Sequence, residues 1–358
     1  MDIVRSLSDQ KHVQRFQQVC GLEFQNDRNL SKQHYTIKYS LPYYLAAVGA
    51  FMGDEIFYLT FYPFVIWNMD SVLGRQTVWV WTLVMYLGQA TKDYLKVPRP
   101  RSPPVIHLET HHLNEFSLPS THAMAGTAMP VVMAYLLLLR YEFPVWLAIS
   151  CVPIWTVLTC LSRLYLGVHT ILDVLCGIVY ALVIMAVTMP YLSEVDIFFQ
   201  SHPLSPFVVW IICLAAVTVC YPAQGKDVAK GSGVRIVAIY MGFSTGMWMN
   251  YQFGLSTIPE TSLPYHIMTP SLNWVIYSLL RFVFGAVLLA VVKLVLQKLT
   301  VRYFSYLANL ETPNKLHPSV ETSYIISTYS VVGFCLTSVI PYMFQYIGIS
   351  RSAQSEIF

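Results

Sequence analysis

Residues 170–191 read TILDVLCGIVYALVIMAVTMPY, an apolar stretch in which Asp173 is the single charged residue. A helix of about 20 apolar residues is long enough to cross the hydrocarbon core of a bilayer. A lone strand would leave its backbone groups unpaired in lipid, so a helix is the expected conformation. An acid within a span is costly, and Asp173 is therefore expected to have a polar partner.

The rest of the chain has the same apolar character. Of its 358 residues, 55% are hydrophobic and 11% are charged, whereas an average soluble domain carries about 25% charged residues. These charges are too few to cover a soluble domain, and intrinsic disorder requires high charge with low hydrophobicity. The net charge of +3 is too small to indicate nucleic-acid binding. The composition therefore predicts a polytopic membrane protein.

Nine apolar segments predict an all-α bundle of about nine transmembrane helices within residues 41–358. The segments lie at 41–67, 76–96, 120–140, 144–162, 170–191, 206–221, 234–253, 271–296 and 323–347. The first contains Asp54 and Glu55, which are expected to face the bundle interior or a water-filled cavity. Residues 1–40 are polar and are predicted to form a solvated tail, with a helix on the membrane surface as the alternative.

The first of three polar motifs ends the second segment and reads KDYLKVPRP over residues 92–100. Pro98 and Pro100 prevent the helix from continuing, so Arg99 is expected on an irregular stretch at the membrane surface. Lys92 is expected in the last part of the preceding helix. Taken alone, the motif is also explained by basic side chains that extend from a helix end toward the lipid headgroups.

The second motif opens the third segment and reads PSTHAM over residues 119–124. Ser120 is predicted to cap a helix, which places His122 in the first turn. The free N–H groups and positive dipole of a helix N-terminus suit an anion. A histidine there can donate a proton to a departing oxygen. An ordinary cap beside a half-exposed histidine is the alternative for this motif alone.

The third motif joins the fourth and fifth segments and reads SRLYLGVHTILD over residues 162–173. His169 and Asp173 are spaced i, i+4 and would share one face of a helix. Asp173 would then accept the Nδ1 proton of His169 and present Nε2 as a nucleophile or base. A structural histidine–aspartate pair is the alternative for this motif alone.

All three motifs fall on one side of the membrane if the nine segments cross it in turn. They then bring together Lys92, Arg99, Arg163, Ser120, His122, His169 and Asp173. Three cations, a helix N-terminus and two histidines indicate a phosphate site with a nucleophile and an acid. Their combination favours catalysis over the separate structural explanations.

The ordered set KxxxxxxRP, PSxH and SRxxxxxHxxxD resembles the signature of the type 2 phosphatidic acid phosphatase (PAP2) superfamily. The matching stretches are residues 92–100, 119–122 and 162–173. Thr121 stands where most members have glycine, yet PSTHAM is similar to the sphingosine-1-phosphate phosphatase branch, as are the residues that flank the other motifs. The resemblance implies a PAP2 core over about residues 76–191.

The resemblance also implies a mechanism. His169 would attack phosphorus and form a phosphohistidine, Asp173 would orient it, and His122 would protonate the leaving alkoxide and then activate water. The phosphoryl oxygens would be held by Lys92, Arg99, Ser120, Thr121 and Arg163. The scheme needs neither a cofactor nor a metal, because lysine and arginine supply the positive charge. The implied substrate is a membrane lipid, the phosphate of a long-chain sphingoid base.

The loop between the first two motifs carries a second cluster of titratable side chains. They are His107, Glu109, His111, His112 and Glu115. Their spacing matches no common zinc pattern, so a solvated loop is favoured over a metal site. A further hypothesis concerns the ammonium of a sphingoid base, which Glu109, Glu115 or the pair Asp54 and Glu55 could receive.

Two other functions stay open. The motifs alone also fit a broad-specificity lipid phosphatase or a glucose-6-phosphatase-like enzyme. An anion transporter could use the same basic site, although transporters typically show repeated halves and helices broken at mid-membrane, which the sequence does not suggest.

Two features give opposite predictions for the side of the membrane that carries the motifs. The resemblance implies an endoplasmic reticulum protein whose active site faces the lumen. Lys and Arg are more frequent on the side of the motifs, which the positive-inside rule places in the cytoplasm. We predict a luminal site, because Lys92, Arg99 and Arg163 are explained by catalysis. A glycosylation sequon at residues 29–31 lies on the contested side.

Overall fold

The computed structural model describes residues 2–24, 35–110, 113, 115–220, 228–256, 263–267 and 269–351. Within these residues the elements are helical apart from two short antiparallel strands, β1 (Leu22–Phe24) and β2 (Tyr35–Ile37). The α-helices are α1 (Asp2–Leu7), α2 (Gln10–Val19), α3 (Ser40–Gly53), α4 (Glu55–Asn68), α5 (Ser71–Leu95), α6 (Thr121–Arg140), α7 (Val145–Tyr165), α8 (Ile171–Thr188), α9 (Leu192–Ser201), α10 (Ser205–Ala215), α11 (Val228–Gln252), α12 (Leu272–Leu307), α13 (Pro318–Phe334) and α14 (Ile340–Tyr346). Short 3₁₀ or π turns, Met189–Tyr191, Ala216–Cys220 and Cys335–Val339, extend three of them.

Each of the nine predicted apolar segments falls on one or two of these helices. In the part of the chain that the structure describes, five helical stretches are long and apolar enough to cross a membrane. They are Thr121–Arg140, Val145–Tyr165, Ile171–Ser201, Leu272–Leu307 and Pro318–Tyr346. The prediction of a helical membrane protein is confirmed, whereas the count of nine spans remains a prediction.

The first predicted segment is not one continuous helix, because it is interrupted at Asp54. The backbone of Asp54 is extended, and its side chain accepts a 2.8 Å hydrogen bond from the Ile56 N–H as the N-cap of α4. Glu55 Oε2 lies 3.3 Å from Nη1 of Arg235 on α11. The two acids that would be costly inside one long span thus lie at a helix break, where both have polar partners.

Helix α6 is central to the part of the bundle that carries the motifs. Its residues 121–130 are all buried, and it packs against α5, α7 and α8. A Cβ added at Gly126 would lie 2.6 Å from Thr159 Cγ2 on α7. A Cβ added at Gly177 of α8 would lie 2.7 Å from the Ser120 carbonyl oxygen. These glycines allow close crossings, which hold the starts of α6 and α8 against each other.

Helix α2 covers the same end of the bundle. Its Gln17 is 1% exposed, and the side-chain amide donates to the carbonyls of Ile106 (2.7 Å) and Tyr165 (2.9 Å). The amide oxygen of Gln17 accepts a 3.0 Å hydrogen bond from the Ile106 N–H. One side chain therefore joins the loop that follows the first motif to the end of α7.

Candidate active site

The three sequence motifs meet at one end of the bundle. Helix α5 ends at Leu95 and Lys96 adopts a left-handed conformation, so Arg99 lies on an irregular stretch as predicted. Backbone hydrogen bonds of the second motif, and of the loop between the first and second motifs, connect the three motifs. The Ser117 N–H donates to the Val97 carbonyl (2.8 Å), and the Ser120 N–H donates to the Asp173 carbonyl (3.1 Å).

His169 lies among the converging motifs and is 1% exposed. Its Nε2 is 3.2 Å from Nη1 of Arg99, which also donates a 2.7 Å hydrogen bond to the Val168 carbonyl. Its Nδ1 is 3.3 Å from Oγ of Ser117. The ring thus turns Nε2 toward a cation and Nδ1 toward a hydroxyl, which is the orientation required for attack by Nε2.

Asp173 does not contact His169 in the way that their spacing predicts. The helical-face prediction is wrong because α8 begins at Ile171, after His169. Asp173 Oδ2 is 3.7 Å from His169 Nδ1, but it accepts hydrogen bonds from the Thr170 N–H (2.7 Å) and the Ser117 hydroxyl (2.6 Å). Thr170 Oγ1 in turn accepts from the Asp173 N–H at 3.3 Å, which completes a capping box.

Ser117 is a candidate functional residue that the three motifs do not contain. It is fully buried, and its Oγ lies between the Asp173 carboxylate and the His169 ring. A hydroxyl can accept from the Nδ1–H of the imidazole while it donates to the carboxylate. Ser117 therefore links Asp173 to His169. No spacing rule marks it in the sequence, and its position becomes apparent only when the loop folds back on Val97.

Lys92 and Arg99 provide two of the three predicted cations. Lys92 is 1% exposed, and its Nζ lies 3.1 Å from Thr121 Oγ1 and 3.3 Å from Glu115 Oε2. Arg99 Nε donates a 2.9 Å hydrogen bond to the Glu115 carbonyl. The loop between the first and second motifs therefore fixes both cations beside His169.

Arg163 is the third cation and is 1% exposed. Its Nη2 lies 2.9 Å from Glu109 Oε2. Among the residues that the structure describes, its Nε and Nη1 atoms have no hydrogen-bond acceptor. Buried guanidinium donors without an acceptor indicate a place for an anion, because such groups are otherwise satisfied.

The start of α6 has the predicted geometry. Ser120 is the N-cap, and its Oγ accepts a 3.4 Å hydrogen bond from the Ala123 N–H. Thr121 is the first residue of the helix, a position that any side chain can occupy, so its replacement of the usual glycine introduces no strain. His122 is 8% exposed, and its ring packs against Gly53, where an added Cβ would lie 2.9 Å from His122 Cδ2.

Electrostatics favour a neutral imidazole at His169. Burial lowers the pKa of His169 well below its ordinary value of 6.5, and the positive charges of Arg99, Lys92 and Arg163 lower it further. The Nε2 lone pair is therefore available at neutral pH. Burial also lowers the pKa of Arg99, against the opposing charge of Glu115, to about 10, so this guanidinium stays positive.

The titratable side chains of the loop between the first two motifs have contacts other than a metal ion. His107 Nε2 lies 3.0 Å from the Pro100 carbonyl oxygen, and Glu109 and Glu115 pair with cations of the cluster. His111 and His112 lie outside the described residues. Elsewhere in the described chain, as in this loop, no group of three or more His, Cys, Asp or Glu side chains is placed to hold a metal ion.

Comparison with known protein families matches residues 74–196 to the PAP2 superfamily. This range contains α6 to α8 and α5 from Gly74 onward, and therefore all three motifs with the residues gathered around His169. Fold and site together define a PAP2-type phosphatase.

Curated relatives indicate which family of the PAP2 superfamily the chain belongs to. Sphingosine-1-phosphate phosphatase 1 of Mus musculus is 37% identical over 317 residues, which cover 87% of this chain and 74% of the relative. Sphingosine-1-phosphate phosphatase 2 of Mus musculus is 36% identical over 356 residues, 97% of this chain and 99% of the relative. No solved structure matches the chain. The chain belongs to the sphingosine-1-phosphate phosphatase family of the PAP2 superfamily, and it is a lipid phosphate phosphatase, a phosphoric monoester hydrolase.

Proposed function

We propose that this protein removes phosphate from long-chain sphingoid base phosphates such as sphingosine 1-phosphate, through a phosphohistidine formed at His169. The observation that carries the proposal is the buried imidazole of His169, whose Nε2 lies 3.2 Å from Arg99 in a cluster of three cations. Burial and these cations lower its pKa, which favours the neutral form. The substrate class is supported by the names of the two mouse relatives.

In the first step, Nε2 of His169 attacks phosphorus and the bond from phosphorus to the sphingoid oxygen breaks. The ring becomes positively charged, and the Nδ1 proton is held by Ser117, which donates in turn to Asp173. The carboxylate stabilises the imidazolium without accepting its proton, as in the serine protease triad. Asp173 therefore acts on the ring through the serine hydroxyl.

The transferring phosphoryl group is stabilised by fixed positive charge. Lys92, Arg99 and Arg163 hold its oxygens, together with Ser120 and Thr121 at the N-terminus of α6. Uncatalysed hydrolysis of phosphate monoesters is so slow that enzymes accelerate it by up to about 10²¹-fold. Three buried cations on one site fit this demand, and the proposal assigns no metal or cofactor.

His122 completes the reaction. Its position in the first turn of α6 places a second imidazole next to the phosphate-binding helix end. There it protonates the departing alkoxide in the first step, and it removes a proton from the water that cleaves the phosphohistidine in the second. The products are a long-chain base and inorganic phosphate.

The deciding experiment measures phosphate release from sphingosine 1-phosphate, phosphatidic acid and glucose 6-phosphate. Wild type is compared with His169→Ala and with a matched control, His266→Ala, whose side chain is 80% exposed. We expect preference for sphingosine 1-phosphate, a loss of at least about 10⁴-fold in His169→Ala, and full activity in the control.

Each rival function predicts a different result. Preference for phosphatidic acid would indicate a broad lipid phosphatase, and preference for glucose 6-phosphate a water-soluble substrate. An anion transporter would form no acid-labile phosphohistidine during turnover. Activity of His169→Ala within tenfold of wild type would contradict the assigned nucleophile.

We further propose a nine-span protein of the endoplasmic reticulum membrane, with residues 1–40 as an N-terminal region and 41–358 as the phosphatase domain. The first and last parts of the described chain lie at opposite ends of the bundle, which supports an odd number of spans. Gln17 packs at the active-site end, whereas Arg351 donates to the Met69 carbonyl at the other end. The proposed lumenal site rests on the family resemblance. A glycosylation sequon inserted in the loop 254–270 should remain unmodified. Its glycosylation in an active enzyme would show that the orientation is the opposite of the one proposed.

A further inference from the structure

Two glutamates of the loop between the first and second motifs lie against the cations of the site. Glu115 Oε2 is 3.3 Å from Lys92 Nζ and 3.9 Å from Arg99 Nη2. Glu109 Oε2 is 2.9 Å from Arg163 Nη2. The loop carboxylates therefore lie beside the same three cations that would hold a phosphoryl group.

The formal charges within this cluster already balance. Lys92, Arg99 and Arg163 contribute three positive charges, and Glu109, Glu115 and Asp173 contribute three negative charges. A phosphate monoester adds about −1.5 to −2 charges. Its oxygens require charge-assisted hydrogen bonds from the same lysine and arginines. Phosphate binding therefore places a further negative charge beside the two glutamates and weakens their pairing with the shared cations.

A carboxylate whose cation is shared with a second anion inside a buried site is destabilising unless another cation is added. A lipid that carries an ammonium close to its phosphate brings such a cation, whereas a lipid phosphate without an amine does not. We propose that Glu115, assisted by Glu109, selects phosphate lipids that bear a primary ammonium beside the phosphate, by pairing with the ammonium of the substrate. This inference rests on the proposed function and defines the substrate feature that the site recognises.

The other acids considered for this role have established contacts elsewhere. Asp54 caps α4 through the Ile56 N–H, and Glu55 pairs with Arg235 of α11. Asp173 is held in the capping box at the start of α8. The loop glutamates are in direct ion-pair contact with cations that the phosphate would share, and this distinguishes them from Asp54 and Glu55.

The test compares two substrates that differ in the amine. Sphingosine 1-phosphate carries the ammonium, and its N-acetyl derivative has a neutral amide on the same chain. The ratio of their kcat/KM values is measured for wild type, Glu115→Gln, Glu109→Gln and the control Glu311→Gln, an exposed loop residue. Glutamine keeps the shape of the side chain and removes its charge.

We expect Glu115→Gln to reduce the wild-type ratio by about tenfold or more, because a charge-assisted contact to the amine is lost. The N-acetyl derivative should be hydrolysed as well as before or better. Glu109→Gln should have a smaller effect, and Glu311→Gln none. Inorganic vanadate should inhibit Glu115→Gln at lower concentration than wild type, because an internal anion no longer competes for Lys92.

An unchanged ratio with unchanged vanadate inhibition would overturn the inference while the phosphatase function stands. An equal loss on both substrates with weaker vanadate binding would overturn it as well, because it would assign Glu115 a structural role. Failure of the wild-type protein to release phosphate from either lipid would contradict the proposed function instead.

Discussion

Two clusters of buried charge lie at opposite ends of the bundle, and they differ in how completely their carboxylates are hydrogen-bonded. In the cluster away from the active site, Asp70 caps α5. Its Oδ1 accepts from the N–H groups of Val72 (2.7 Å) and Leu73 (3.2 Å). Its Oδ2 accepts from Arg140 Nε (2.7 Å) and the Tyr141 hydroxyl (2.7 Å). This carboxylate has four short hydrogen bonds, which is typical of a structural ion pair.

At the active-site end, three cations share two loop glutamates. The contact between Lys92 and Glu115 is 3.3 Å, and Arg163 keeps two nitrogens for which the described residues provide no acceptor. Arg140 Nη2 also has no acceptor among the described residues, but the Asp70 carboxylate is filled. A filled carboxylate stabilises a fold, whereas a cluster with several unused donors retains the capacity to bind a ligand. Substitutions at the two ends should therefore have different consequences, turnover at one and stability at the other.

After His169→Ala, the largest effect at the active-site end is expected for His122→Ala. Loss of a general acid should slow hydrolysis of an alkyl phosphate by about 10²- to 10⁴-fold. A nitrophenyl phosphate needs little help from an acid, because its leaving group is already stable as an anion. The measurement is kcat for both substrates in wild type and variant. Equal slowing of the two would argue against proton donation by His122.

Ser117→Ala should have a smaller effect, about tenfold in kcat with little change in KM. The hydroxyl touches the nucleophile only through Nδ1, so its loss removes one hydrogen bond to the ring and one to Asp173. Ser117→Thr keeps the hydroxyl and is expected to restore most of the activity. A variant that loses stability but keeps its kcat would show that Ser117 only supports the fold.

The pH profile tests the effect of burial and of the neighbouring cations on His169. Because its pKa is lowered from 6.5, the imidazole stays neutral as the pH falls through this value, and the nucleophile is lost only at more acidic pH. The acid limb of kcat/KM should then follow the second ionisation of the substrate, about pH 6 for an alkyl phosphate. It should move to lower pH with the more acidic nitrophenyl phosphate. A limb fixed at the ordinary histidine value for both substrates would refute this.

The smallest effect on turnover is expected at the opposite end, for Asp70→Asn. This change leaves Arg140 buried without its carboxylate, and it should lower the free energy of unfolding by about 3–5 kcal/mol. The kcat of the folded fraction should stay within about twofold of wild type, because the two clusters are independent. Thermal unfolding in detergent and kcat per folded molecule would check both. A fall in kcat at unchanged stability would show that the two ends are coupled.

Local sequence rules predict much of the fold and of the candidate site. Apolar length indicates the helices, proline marks the end of α5, and Ser120 is recognisable as an N-cap. The convergence of Lys92 and His169 follows from the alternating direction of the apolar segments. For the helices and their ends the determining interaction lies within a few residues, whereas the convergence depends on the order of several segments.

The features that the sequence does not reveal depend on tertiary contacts. The interruption at Asp54 and the placement of Ser117 beside Asp173 have no local signature. The i, i+4 spacing of His169 suggested a helical pair, yet the helix begins two residues later because Thr170 caps it. The cation with which Glu115 pairs likewise depends on how its loop folds over α5.

Gln17 has a consequence for the integrity of the enzyme. Its side chain makes three hydrogen bonds to backbone groups of Ile106 and Tyr165. An amide can donate and accept at once, whereas glutamate lacks the donor and lysine the acceptor. Proteolysis or alternative splicing that removes α2 would therefore withdraw three hydrogen bonds from the scaffold of the site, even though every residue of the three motifs remained in the chain.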